Sequence, residues 1–453
     1  GEGAMRWMGG RTVCVWLSLL VCVCGAMGAG EAKREEGLMR WAKEKGAKSD
    51  KAELVKLPEG GGLSLVVSED IAEGELVLSI PANLLFPSLV SKTSLSSAML
   101  RNADNSTIGR VSALCIYLMG ERLDPESFWA PWISSLPDTF RHALSYKDEE
   151  MEMFQASAFK ELRQRKITNL RSEYESIIKP LVDAQDFAAP EVPKGVTAAQ
   201  FGFDAFEWAY SVITTRAVFP GLLSDKERIG EVPVVLLGPL TDALKHGEST
   251  VSISFDGEGQ EARFTAIAPI AKGDAVSVGC GLTSNLELLA NRGSLVAANR
   301  NNFVLIKFQL DMDADIHASA KQAMMRQLNL TNPMTYIVRS GEMPQGLLSS
   351  LRIQSLSPTE FTSYHKALES PVSLDNEWRA YRLLISSCNA ILGLYKTSVE
   401  EDEALLGAGG GLTARAQAAV SLRRQEKLIY DSVKAWAHDA WSSLLYAGAS
   451  TSE

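Results

Sequence analysis

The chain has 453 residues, 46% of them hydrophobic and 22% charged, an ordinary globular composition long enough for two or three domains. Its formal net charge is -10 and it has no Lys/Arg tract, which argues against a nucleic-acid binder, because phosphate contacts need a basic surface. Of the six cysteines, Cys14, Cys22 and Cys24 crowd the N-terminus, while Cys115, Cys280 and Cys388 are too widely spaced for a disulfide framework, and neither they nor the five histidines have zinc-ligand spacing.

In chain order, Arg11 precedes an apolar run at 12–24, small residues at 25–30 and a charged stretch at 31–36. Positive flank, short apolar core and small-residue exit are the three parts of a secretory signal, and the core is short for a bilayer span. Residues 1–30 therefore read as a targeting segment to the secretory pathway or an organelle. An uncleaved anchor or the first half of a bipartite presequence, as for a plastid, are the alternatives. No later run is long and apolar enough to cross a membrane. The sequons Asn105-Ser106-Thr107 and Asn329-Leu330-Thr331 matter only in a secreted chain.

The spacing predicts a helix at 38–45, a break at 58–62 and a strand carrying Leu76, Leu78 and Ile80, ended by Pro81. Residues 91–225 read as mostly helical, with helical periodicity through 111–121, 148–166 and 206–218 and a softer loop at 188–195. Alternation returns at Val251, Ile253 and Phe255, turns at Asp256-Gly257, continues through Phe264, Ala266 and Ala268, and ends with Val304, Ile306, Phe308 and Leu310. Residues 312–447 read as all-helical, with Leu422, Ile429, Val433 and Trp436 near one face and a loop at 408–411. The fold class is α+β: small sheets split by a long helical insert, then a helical domain.

Six segments in this order carry a resemblance. They are Gly62-Leu63-Ser64 with the strand to Ile71, Ser127-Phe128-Trp129-Ala130-Pro131-Trp132, Trp208-Ala209-Tyr210-Ser211 to Arg216, Pro239-Leu240-Thr241-Asp242-Ala243-Leu244-Lys245-His246, Ser284-Asn285 with Glu287-Leu288-Leu289, and Leu394 to Asp402 with Arg415 to Arg423. Together they resemble the SET-domain subfamily that includes Rubisco large-subunit lysine methyltransferase and actin-histidine methyltransferase, over about residues 38–437. The resemblance implies a SET domain over 37–311 with its insert at about 91–225, and a helical substrate-binding domain over 312–447. It implies S-adenosyl-L-methionine as cofactor, a lysine or histidine of a protein as methyl acceptor, and a protein partner bound through the C-terminal helices.

By the same resemblance, Gly62 lets the backbone approach the cofactor, Arg216 pairs with its carboxylate, Asp242 steadies the turn, and His246 donates to the cofactor or a nearby carbonyl. Four positions depart from the family pattern. Ser64 replaces the second glycine of the opening turn and Lys245 replaces an asparagine, putting a donor-only cation beside a cationic cofactor. Cys280 stands where a tyrosine hydroxyl orients the acceptor nitrogen, and Arg292-Gly293-Ser294 stands for a Tyr-Gly-Phe-like segment; Ser64, Lys245, Arg292 and Gly293 are expected, with Gly62, Arg216, Asp242 and His246, at the cofactor. The expected function is a protein N-methyltransferase with a divergent site. The alternative is an inactive SET scaffold that binds a protein.

Overall fold

The computed structural model describes residues 29–450, apart from 58–61, 89–93, 102–107, 191, 220–234, 258–259, 314, 345 and 409–410. The signal-like segment, save its last two residues, and the first sequon lie outside the described residues.

The N-terminal half builds three small sheets. Strands β1 (Ala52–Lys56) and β2 (Leu63–Val67) pair antiparallel, with Lys56 opposite Leu63. Strand β3 (Leu76–Pro81) joins β5 (Val251–Asp256) and β6 (Glu261–Ala266) in an antiparallel sheet of order β3-β6-β5. The expected alternation is visible in β6, where Ala262, Phe264 and Ala266 are buried. The short strands β4 (Lys245–Gly247) and β7 (Ser277–Gly279) run parallel, with His246 opposite Val278. Backbone bonds from Val276 to Leu65 and from Lys245 to Val276 tie β2, β7 and β4 side by side.

Helix α1 (Ala29–Glu44) leads into the sheets. The insert follows β3 with α2 (Leu95–Arg101), α3 (Arg110–Leu123), α4 (Ala130–Ile133), α5 (Phe159–Glu173), α6 (Lys179–Asp183) and α7 (Phe203–Arg216). Trp129 and Trp132 are fully buried; Trp129 packs edge-on against Phe86 and Trp132, and Trp132 lies tilted against Phe86, so the aromatic motif is the seam between insert and sheets. Helix α8 (Asn285–Arg292) starts on a capping box in which Ser284 and Glu287 satisfy each other's backbone, and stops at Gly293 in the left-handed conformation.

The C-terminal region holds α9 (Ala318–Gln327), α10 (Leu347–Gln354), α11 (Leu374–Leu392), α12 (Val399–Gly407) and α13 (Ala414–Ser450). It differs from the sequence reading in one element. Strand β9 (Met334–Arg339) lies inside the stretch expected to be helical and pairs antiparallel with β8 (Phe303–Phe308). Its six residues are too few for helical periodicity to contradict. The pairing also moves β8 out of the sheet region: Val304, Ile306 and Phe308 share a core with Tyr336, Val338, Leu384, Ile429 and Val433. The expected boundary at 311 thus cuts a hydrophobic core that begins at Val304. A separate cluster of Tyr146, Phe154, Phe159, Leu289, Ala419 and Leu422 joins insert, α8 and α13. Leu422 therefore serves the junction, while Ile429 and Val433 on the same face serve the C-terminal core.

Candidate functional site

The last turn of α7 delivers Arg216 to the turn before β2. Its guanidinium lies directly over Gly62, whose φ of +70° favours glycine, and a Cβ built there would come within 2.7 Å of Cζ. Nη1 also lies 3.5 Å from the carbonyls of Leu63 and Asp242. Burial lowers the Arg216 pKa, and the Asp242 charge opposes that shift. Asp242 sits in the short turn Thr241–Ala243, almost fully buried. Burial pushes its carboxyl up to about 6 in spite of Arg216, and its Oδ1 has no hydrogen-bond partner.

Next comes His246. Burial holds its pKa well below the ordinary value, and the charges of Arg292 and Arg216 depress it further, so the imidazole is neutral. Its hydrogen bond to the Thr215 backbone favours the charged form, which makes the imidazole the donor and the carbonyl the acceptor. Arg292 is the last of the group. Nη1 donates to the Ala217 carbonyl at 2.6 Å, and the guanidinium lies 5.4 Å from the Phe219 ring centroid. Burial lowers the Arg292 pKa to about 10, and Cys280 is the neighbour that pulls it back. The Cys280 thiol is pushed up by burial and is not a poised nucleophile.

Gly62, Arg216 and Asp242 therefore lie together, Cys280 lies beside Arg292, and His246 is near both guanidinium groups. Ser64 is buried on β2, opposite Val55. Two residues of the expected set face elsewhere. Lys245 is exposed, because strand alternation turns it away from the side His246 takes, so its charge does not crowd the cluster. Gly293 packs on backbone: a Cβ there would meet the Arg141 carbonyl carbon at 2.8 Å and the His142 nitrogen at 2.9 Å. Tyr210 lies on α7 and does not replace the missing phenol.

Sequence reasoning missed four contributors. Arg141 adds positive charge near Arg216, and Phe219 flanks Arg292. Thr283 Oγ1 donates to the Cys280 carbonyl at 2.6 Å, and Asn301 Nδ2 donates to the Gly281 carbonyl at 3.1 Å. The run Asn299-Arg300-Asn301-Asn302 was a visible signal for the last of these, since clustered asparagines outside a helix commonly bond backbone. No group of three or more His, Cys, Asp or Glu side chains able to hold a metal occurs among the described residues.

Comparison with known proteins bears on the fold. Residues 313–429 match the family described as Rubisco LSMT substrate-binding. The actin-histidine N-methyltransferase of Xenopus tropicalis is 26% identical over 430 residues, covering 90% of this chain and 71% of that protein. The mouse protein of the same name, from Mus musculus, is 26% identical over 422 residues, covering 88% and 68%. Among solved structures, the SET domain of LSMT bound to lysine and AdoHcy superposes with a TM-score of 0.66 at 18% identity, over 90% of this chain and 91% of that one. Rubisco LSMT bound to AdoMet gives 0.65 at 18%, over 91% and 93%. The chain has a SET fold, and its residues 313–429 match the Rubisco LSMT substrate-binding family. The clustered site residues come from the turn before β2, the last turn of α7, the segment running into β4, the end of β7 and the last residue of α8.

Proposed function

We propose that this protein is an S-adenosylmethionine-dependent protein N-methyltransferase with a divergent acceptor end, acting on a lysine or histidine side chain. The observation that carries the reading is the convergence of Gly62, Arg216, Asp242, His246, Cys280 and Arg292 on one cluster from five separate segments of the chain. The similarity to actin-histidine N-methyltransferases and the fold shared with AdoMet-bound Rubisco LSMT support the same reading.

The residues at the Arg216 end fit the cofactor's amino-acid moiety. Arg216 offers a forked cation for its carboxylate. The orphaned Asp242 Oδ1 is a buried acceptor that suits an ammonium group. S-adenosylmethionine, when bound, supplies a methyl group activated by its sulfonium. The protein's own task is to align a neutral nitrogen with that methyl and keep water away. The neutral His246 adds a polar surface without another charge.

Isothermal calorimetry of the full chain with S-adenosylmethionine and S-adenosylhomocysteine tests this. Saturable binding lost in Arg216→Ala, with radiolabelled methyl transfer to candidate proteins, supports the enzyme. No binding by the wild type ends it. Cys280 favours a second reading, a protein-binding scaffold, because it puts a short thiol where the resemblance places an acceptor-orienting phenol. Cofactor binding without transfer to any protein that the helical domain captures supports that reading. We further propose action in the secretory pathway or an organelle, on the pattern of residues 1–36; a fluorescent fusion of that segment tests it.

A further inference from the structure

We propose that Arg292 reads an acidic side chain of the protein segment presented to the cluster, an assignment that rests on the methyltransferase reading and specifies its substrate. Arg292 ends α8 and is anchored to Ala217, the residue after Arg216, and both guanidinium groups lie near His246. Their environments differ. Arg216 lies against the buried carboxylate of Asp242. Arg292 faces a carbonyl, an aromatic ring and a thiol, and has no ion pair among the described residues.

Elsewhere buried cations keep carboxylates: Arg352 has Glu377 at 2.6 Å, Lys321 has Asp315 at 2.7 Å, and Arg423 and Lys427 share Asp402. A guanidinium that gives up water without a counter-charge is costly, and an incoming anion recovers that cost. The cofactor brings one carboxylate, and Arg216 with its glycine cradle takes it. Among the described residues no acidic side chain is left for Arg292, and the acceptor chain is the source we assign. The rim offers a substrate little else: the carbonyls of Cys280, Gly281 and Thr283 already accept from Thr283, Asn301 and Asn299. A segment whose acceptor residue is flanked by Asp or Glu fits such a site.

The test uses the full chain with fluorescent peptides that carry a central lysine or histidine between glutamates, each matched to the same peptide with glutamines. Anisotropy with S-adenosylhomocysteine present should show the acidic peptides binding roughly tenfold tighter, a gap that narrows with salt. Arg292→Gln should abolish the gap. Arg292→Lys, which keeps the charge but not the fork, should retain part of it. A purely structural role, holding Ala217, would move both variants alike. Equal wild-type affinity for both peptide classes, absence of binding to either, or equal behaviour of the two variants overturns the assignment. So does a loss of S-adenosylhomocysteine affinity in Arg292→Gln, which would make Arg292 a cofactor residue. If the wild type ignores S-adenosylhomocysteine, the methyltransferase reading fails by itself, and the comparison of acidic with neutral peptides still reports on Arg292.

Discussion

The guanidinium of Arg216 fills the space that a side chain on Gly62 would need, with Cζ only 2.7 Å from a Cβ built there. The glycine and the arginine thus specify each other: one supplies a bare backbone at positive φ, the other covers it. Gly62→Ala would drive Arg216 off the Leu63 and Asp242 carbonyls and separate it from its buried counter-charge. We expect S-adenosylhomocysteine affinity to fall by about tenfold or more, while unfolding stability falls by about 1–3 kcal/mol for the strained backbone. Calorimetry beside urea unfolding checks both. Intact affinity in a destabilised protein would remove Arg216 from the cofactor's contacts.

Gly293 has the same φ of +70° but a different neighbour. A Cβ there meets the backbone of Arg141 and His142, which cannot swing aside as a side chain can. Gly293→Ala should therefore lower stability by about 2–4 kcal/mol, through clash and loss of the helix stop. Cofactor affinity, measured below the variant's Tm, should stay within about threefold of wild type, since 1.4 kcal/mol is a factor of ten. A selective loss of affinity would restore Gly293 to the cofactor site.

The parts of this fold that showed in the sequence were those with a period or a punctuation mark. Helices α3 and α7 and strand β6 announced themselves by spacing, whereas the expected helix at 148–166 is a 3-10 stretch, Asp148–Phe154, followed by α5 from Phe159. Strand β9 gave no such signal, because only Tyr336 and Val338 are buried there and they sit among helical neighbours. The site was legible as a set of segments but not as geometry. Nothing in the string distinguishes Lys245, which strand alternation turns to solvent, from His246, which the same alternation turns inward. Likewise Arg292 and Gly293 are adjacent letters, yet one joins the cluster and the other packs on the Arg141–His142 backbone.

The junction between the two halves carries its own charge cluster. Asp402 on α12 is fully buried and pairs with Arg423 at 2.6 Å and Lys427 at 2.6 Å, both on α13 and both buried. Arg423 also donates to the Met153 carbonyl of the insert, so the cluster locks the helical domain to the SET domain. Asp402→Ala leaves two buried cations without their anion and should cost about 3–5 kcal/mol. Glu403, next in sequence, pairs with Arg424 at the surface; Glu403→Ala should cost less than about 1 kcal/mol. Chemical denaturation of the two variants side by side checks the contrast, and similar losses would mean that the Asp402 cluster is solvated.

Glu426, on the same helix, makes this junction sensitive to pH. Ser157 of the insert and Tyr395 donate to its carboxyl at 2.9 and 3.0 Å, but complete burial outweighs them and lifts its pKa from 4.5 to about 7. Below about pH 4.5 both folded and unfolded chains hold the proton, and this group adds no pH dependence. Between about 4.5 and 7 the unfolded chain releases it while the folded chain keeps it, so stability falls as pH rises, by roughly 3 kcal/mol in all. Above about 7 both forms are ionised and the loss is complete. Glu426→Gln preserves shape and, because both hydroxyls can turn to accept, preserves hydrogen bonding. The variant should match wild type near pH 4.5 and be roughly 3 kcal/mol more stable near pH 8. Urea unfolding across that range reads the difference directly. A difference that stays constant with pH would mean that Glu426 ionises normally in the folded protein.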